Sequence, residues 1–158
     1  MDLVIRPVRP EDAPLVHDIR LQREVTRFTT ALPSERASGW VGQLGPNDHV
    51  MVAELEGRVV GLAGLHVREG KRRHVGFVGM MVHDQFAGRG IGARLLTVLL
   101  ELADGWLNLT RVELDTMADN ERGLRLYRKH GFVEEGRQRQ AYFRDGAYVD
   151  AVLMARVR

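Results

Sequence analysis

The chain has no cysteine, and only two of its 23 basic residues, Lys71 and Lys129, are lysines. Without cysteine there are no disulfides, no thiolate metal ligands and no cysteine nucleophile. No apolar run approaches the ~20 residues needed to span a bilayer, so no membrane partner is expected. The opening Met1-Asp2-Leu3-Val4-Ile5-Arg6-Pro7 is charged and broken by proline, unlike a secretory leader. A cytoplasmic location is therefore expected. Internal repeats, linkers and low-complexity tracts are absent too. The net charge is only +2 and the arginines are scattered, so no nucleic-acid footprint is expected. The short cluster Lys71-Arg72-Arg73 reads as a solvated turn between strands.

What is present suits a globular protein. The 158 residues are 44% hydrophobic and 28% charged, enough to bury a core. One domain over residues 1–158 is the expectation. Leu3 to Arg9 reads as a strand, and Pro10-Glu11-Asp12 opens a helix with Leu15, Val16 and Ile19 at helical spacing. A second helix is expected from Ser34 to Leu44, carrying Trp40 and Val41. His49–Leu55 and Arg58–Val67 read as a hairpin about Glu56-Gly57. A further strand, Arg73–Val82, runs into a glycine loop from Gln85 to Gly90. Behind the loop Ile91, Leu95, Val98, Leu99 and Leu102 repeat at helical spacing. Arg111–Met117 returns as a strand. Asn120 caps a helix that ends at Gly131, and two strands joined at Asp145-Gly146 finish the chain. The order βα(α)βββαβαββ is that of a mixed α/β fold, a mostly antiparallel twisted sheet of about seven strands with about four helices on its faces.

The glycine loop is the most informative stretch. In Gln85-Phe86-Ala87-Gly88-Arg89-Gly90-Ile91-Gly92-Ala93, glycines permit positive φ and leave no Cβ between amides and a ligand. The unpaired first-turn N–H groups of the following helix sit at its positive end, so loop and helix together make an anion site suited to a pyrophosphate. Gly88-x-Gly90-x-x-Ala93 also fits a dinucleotide fingerprint, with Glu113 or Asp115 near the ribose-binding position. Position counts against that reading. About eighty residues of hairpin-like structure come first, and a single βαβ crossover leaves no room for a doubly wound sheet.

Gln85-x-x-Gly88-x-Gly90, followed by Asn120 and by Leu126-Tyr127-x-x-x-Gly131-Phe132, resembles the GCN5-related N-acetyltransferase superfamily. The resemblance implies acetyl-CoA as co-substrate and no metal. It implies that Met80, Met81 and Val82 offer backbone groups to the pantetheine on a strand that splays from its neighbour. It also implies that Gln85, Gly88, Arg89, Gly90, Ile91, Gly92 and Ala93 cradle the pyrophosphate, that Asn120 bonds the pantetheine, and that Tyr127 stands beside the sulfur. Tyr127 is then the candidate acid for the departing thiolate, and equally an aromatic that packs a helix on the sheet. Two departures stand out. Gly123 replaces the usual alanine, at a helix cost of about 1 kcal/mol. The strand Val75–Val82 carries no carboxylate, where many relatives keep a general base. Glu113, Asp115, His74 and His66 remain candidates, and a water chain that makes none of them indispensable is an equal one.

A finer likeness, carried by Val4-Ile5-Arg6, Arg72-Arg73-His74-Val75 and Arg144-Asp145-Gly146-x-Tyr148-Val149-Asp150, is to bacterial L-amino-acid N-acetyltransferases. It implies a small-molecule acceptor, the α-amine of a free amino acid, with a protein N-terminus, a lysine or an aminoglycoside-type amine as the alternative. Phe28, Tyr142 and Tyr148, with Phe143, are candidates for the acceptor pocket, and an arginine should hold a substrate carboxylate. A homodimer is left open.

Overall fold

A computed structural model describes residues 2–158. Its elements are β1 (Leu3–Pro7), α1 (Ala13–Arg20), α2 (Arg23–Phe28), β2 (Asp48–Leu55), β3 (Arg58–Val67), β4 (Val75–Val82), α3 (Ile91–Gly105), β5 (Arg111–Met117), α4 (Glu121–Lys129), β6 (Val133–Arg144) and β7 (Ala147–Val157). The seven strands form one sheet in the order β1-β2-β3-β4-β5-β7-β6. The β4–β5 pairing is parallel and the rest are antiparallel. This is the mixed, mostly antiparallel sheet with four α-helices that the element order implies.

Both faces of the central strands are covered, which is why β3 reads as an almost unbroken apolar run. On one face, Leu65, Val78, Leu95, Leu99, Tyr127 and Phe132 form the main core beneath α3 and α4. On the other, Ile19 and Val25 of α1 and α2 pack on Val52 and Val59. Strand β6 is polar and exposed, with register breaks at Glu134/Gly136 and Gln138/Tyr142, as suits a sheet edge that must not recruit another chain. The β2–β3 turn has positive φ at Glu56 and Gly57, and the β6–β7 turn at Asp145 and Gly146, the twist that two-residue hairpins need.

The expected helix from Ser34 to Leu44 is not formed. The chain instead makes α2 further upstream and only a 3-10 turn at Trp40–Gln43. Pro33, Ser34, Ser38 and two glycines give that stretch low helix propensity, and Trp40 and Leu44 are used to cap a cavity. The buried stripe of α3 also differs, running through Ile91, Leu95, Leu96, Leu99, Leu100 and Ala103, with Val98 and Leu102 at its margin.

Candidate active site

The parallel ladder between β4 and β5 stops after Val75↔Arg111, Gly76↔Val112 and Phe77↔Glu113. Yet β4 stays paired to β3 as far as Val82, and β5 stays paired to β7 as far as Met117. The two strands therefore diverge into a wedge. The His74 carbonyl accepts from the N–H groups of Thr110 and Arg111 at 3.1 and 3.3 Å, which fixes the alternation along β4. Val78, Met80 and Val82 accordingly turn their backbone groups into the wedge, where no strand meets them, whereas Met81, expected to do the same, turns its own toward β3 opposite Leu62.

The wedge opens a cleft of about 470 Å³ lined by Met80, Met81, Val82, Gly88, Gly90, Ile91, Gly92, Ala93, Asn120 and Tyr127. Gly88 and Gly90 have φ of 78° and 79°, and an added Cβ at either would meet nothing within 4 Å. A side chain there would be opposed by backbone conformation, while the space stays open to a ligand. Gly90 is the N-cap of α3, so the N–H groups of its first turn border the cleft. This cradle suits a pyrophosphate, and the wedge beside it suits an extended arm that bonds to backbone.

Asn120 caps α4 by accepting from the Gly123 N–H at 3.1 Å and donates to Thr116 Oγ1 at 3.0 Å. A Cβ on Gly123 would lie 2.6 Å from Asn120 Nδ2. Gly123 is thus more than a helix penalty, because its missing side chain is what lets Asn120 fold back over the first turn.

Tyr127 is 9% exposed, with its ring edge-on to Phe132 at 6.0 Å, yet it lines the cleft. Packing and a place at the site coexist. Burial, helped by the nearby Asp115 carboxylate, pushes its phenol up to about 12. Across the wedge the Tyr142 hydroxyl donates to Asp115 Oδ1 at 2.9 Å. Burial and that carboxylate raise Tyr142 to about 12 as well.

The β6–β7 turn latches onto α2 beside the cleft. Arg27 pairs with Asp145 at 2.8 Å, and Arg144 donates to the Arg27 carbonyl at 3.2 Å and pairs with Asp119. The guanidinium groups of Arg27 and Arg144 lie 5.6 and 5.4 Å from the Phe28 ring, which forms part of the cleft wall. Three of the sequence candidates lie elsewhere. Gln85 donates its backbone N–H to His83 Nδ1 at 3.2 Å and is not on the cleft. Arg89 stacks on Phe86 at 5.2 Å instead of entering. Tyr148 is 63% exposed against Phe143 on the outer surface.

Sequence reasoning overlooked His83 and Asp84, although both directly precede the glycine loop. His83 is buried beside Arg58, at 3.3 Å, and burial followed by that cation lowers its pKa. Asp84 accepts from the Glu24 N–H at 3.0 Å, tying α2 to the loop. Its other oxygen is buried without a partner among the described residues.

A second cavity of about 490 Å³ lies on the α1 side of the sheet and shares Thr29, Gly79, Met80 and Met81 with the first. Val16, Trp40, Leu44, Val50 and Leu62 supply an apolar wall, and His17, Arg20, Glu35, Arg36 and His66 the polar part. Arg20 is held by Glu35 at 2.9 and 3.0 Å, whereas Arg36 makes no ion pair among the described residues. Of the base candidates, Glu113 is clamped by Arg72 and Arg111 at 2.5 and 2.8 Å, away from both cavities. His74 also lies outside them, Asp115 lines the first and His66 the second. Among the described residues no three His, Asp or Glu side chains gather as a metal set, and no helix is long and apolar enough to cross a membrane.

Comparison with known proteins gives one consistent result. A family model described as the Acetyltransferase (GNAT) family matches residues 14–132. The L-amino acid N-acetyltransferase AaaT of Escherichia coli (strain K12) is 34% identical over 160 residues, covering 99% of each chain. The Spermidine N(1)-acetyltransferase of the same organism is 26% identical over 95% of this chain and 83% of its own length. The crystal structure of a GNAT-family acetyltransferase from Streptococcus pneumoniae superposes with a TM-score of 0.88 at 26% identity, over 99% of this chain and 100% of that one.

Proposed function

Because the chain belongs to the Acetyltransferase (GNAT) family and is an acetyl-CoA-dependent N-acetyltransferase, we propose that its acceptor is the α-amine of a free L-amino acid or a similar small molecule. The amine attacks directly while both substrates are bound. The observation that carries this reading is the second cavity, which meets the wedge at Gly79–Met81 and joins an apolar wall to an uncommitted cation, Arg36. A carboxylate on Arg36 and an apolar side chain on Trp40 and Leu44 would orient an amino acid with its amine toward the wedge. The full-length likeness to an L-amino acid N-acetyltransferase supports the same class.

Acetyl-CoA supplies an acetyl group activated as a thioester. The first-turn N–H groups of α3, with Gly88 and Gly90, hold the pyrophosphate, and Asn120 uses the remaining hydrogen of its amide. The inward N–H groups of Val78 and Met80 serve as donors to the carbonyl oxygen as it gains charge. Tyr127 acts at the sulfur. A phenol at about 12 would yield its proton to a thiolate of pKa ~8.5 only at a cost of about 5 kcal/mol. Tyr127 therefore donates a hydrogen bond as the sulfur gains charge, and completes the transfer only as the amine nitrogen returns a proton to it.

One feature favours a second reading. Glu24 and Asp84 line the first cleft and would attract a polycationic acceptor. A thiol-release assay over free amino acids, polyamines and N-terminal peptides separates the two. Leucine should be acetylated far better than 3-methylbutylamine, the same molecule without its carboxylate. Arg36→Met should raise KM for leucine at least tenfold and leave the decarboxylated amine unchanged. Preference for polyamines, or no effect of Arg36→Met, rejects the amino-acid reading.

A further inference from the structure

We propose that His66, oriented by Asp48, is the catalytic base that takes the proton from the acceptor ammonium. The assignment rests on the acceptor entering by the second cavity, and not on its being an amino acid. Register places three cross-strand rows on the α1 face: Asp48–His66–Phe77, Val50–Gly64–Gly79 and Val52–Leu62–Met81. Two of three positions in the middle row lack side chains. A furrow therefore crosses β3 and β4 and ends at the wedge, where Gly79 belongs to both cavities.

His66 overhangs that furrow. A Cβ on Gly64 would stand 2.7 Å from His66 Nε2, so the ring occupies the space that glycine leaves, one strand spacing of about 4.8 Å from β4. Its Nδ1 lies 2.8 Å from Asp48 Oδ1. The Gly45 N–H, at 2.8 Å, and then His66 hold the Asp48 carboxyl below its ordinary range, so it is an acceptor. Nδ1 must then be the donor, and neutral His66 carries its lone pair on Nε2, over the furrow. The carboxylate that β4 lacks is thus answered by an imidazole across from Phe77 on the adjacent strand. Phe77 itself is covered by Arg68 at 5.1 Å. The His66 side chain is 41% exposed, so the imidazolium can pass its proton to water.

The step balances. An ammonium N–H bond breaks and the proton goes to Nε2. The freed electron pair bonds to the acetyl carbon, and the carbon–sulfur bond breaks with its pair left on sulfur. The sulfur receives a proton through Tyr127, which is replenished by the second proton of the nitrogen as it becomes an amide. One proton leaves by way of His66.

The charged and titratable groups around His66 are Asp48 on β2, Arg68 just past the end of β3, and His17, Arg20, Glu35 and Arg36 on the facing wall of the cavity. The test is therefore a pH profile of kcat/KM, run on whichever amine the panel returns, so that a wrong acceptor class does not disable it. His66→Gln should bind acetyl-CoA normally, lose about 10²-fold at pH 7, and close the gap as pH approaches the pKa of the amine. Asp48→Asn, which keeps an acceptor oxygen near Nδ1, should lose less than His66→Gln. Glu113→Gln should behave as wild type. Nitrogen NMR of the resting protein at pH 8 should show a protonated Nδ1 and a bare Nε2 on His66. A folded His66→Gln within threefold of wild type at pH 7, a loss that is uniform from pH 6 to 10, or an Nε2–H tautomer would each overturn the assignment.

Discussion

Replacing Gly90 with valine tests the pyrophosphate cradle most directly. Gly90 holds φ 79° and ψ 4° at the N-cap of α3, and a Cβ there would meet nothing within 4 Å. The substitution therefore creates no clash, and its cost is conformational, about 1–3 kcal/mol for a β-branched residue in the left-handed region. The loop can relieve that strain by rotating out of the left-handed region, which turns the N–H groups of the α3 first turn away from the cleft. Each charge-assisted hydrogen bond to phosphate lost in this way is worth about 1.5–3 kcal/mol. One such loss raises the dissociation constant of coenzyme A at least tenfold, and two raise it a hundredfold or more. Calorimetric titration with coenzyme A and with pantetheine, which lacks the pyrophosphate, isolates the effect: the first should weaken and the second should not. Gly90→Ala, with a smaller penalty in the same conformation, should fall between. Unchanged coenzyme A affinity in a folded Gly90→Val protein, or equal weakening of pantetheine, would refute the reasoning.

Tyr127→Phe keeps the ring on Phe132 and removes only the hydroxyl, so coenzyme affinity should hold while turnover falls by about 10²-fold, measured by single-turnover thiol release. Because the Tyr127 phenol is pushed up to about 12, no falling limb of activity from this residue should appear below about pH 11. Stability has a separate pH signature at Asp12, which is 2% exposed, accepts from Arg6 at 2.8 and 2.9 Å and from the Arg9 N–H at 2.7 Å. Arg6 depresses its pKa, so its contribution is complete above the unfolded value and is lost as pH falls through the lower folded one, in the window below about pH 4. Asp12→Asn should cost about 3 kcal/mol at pH 7, a drop in Tm of roughly 6–12 °C, and should flatten the acid side of the stability curve followed by thermal unfolding.

Local signals carried most of the fold. The glycine pair at the head of α3, the Asn120 cap, the Gly131 stop and the two positive-φ hairpin turns are each decided within a few residues, so the sequence alone marks them. The anion cradle proposed at that loop rests on equally local grounds, because helix polarity and glycine geometry need no distant partner. The stretch from Ser34 to Leu44, expected as a helix, forms only the turn at Trp40–Gln43, because Trp40 and Leu44 face a cavity and not a core stripe. Tertiary structure decided everything that depends on two strands meeting. The β4–β5 ladder ends after Phe77↔Glu113 while β3 and β7 hold the outer edges of the two strands further on, and that ending leaves the inward backbone groups of Val78 and Met80 without a strand partner. Gly64 and Gly79 are fifteen residues apart and uninformative singly, yet register joins them into a furrow beneath His66. Register likewise brings Asp48, eighteen residues away, to its Nδ1. Periodicity within a segment reports which face is buried, whereas the partners assembled on that face are a property of long-range pairing, and the sheet side of this protein's second cavity is built from such pairs across β2, β3 and β4.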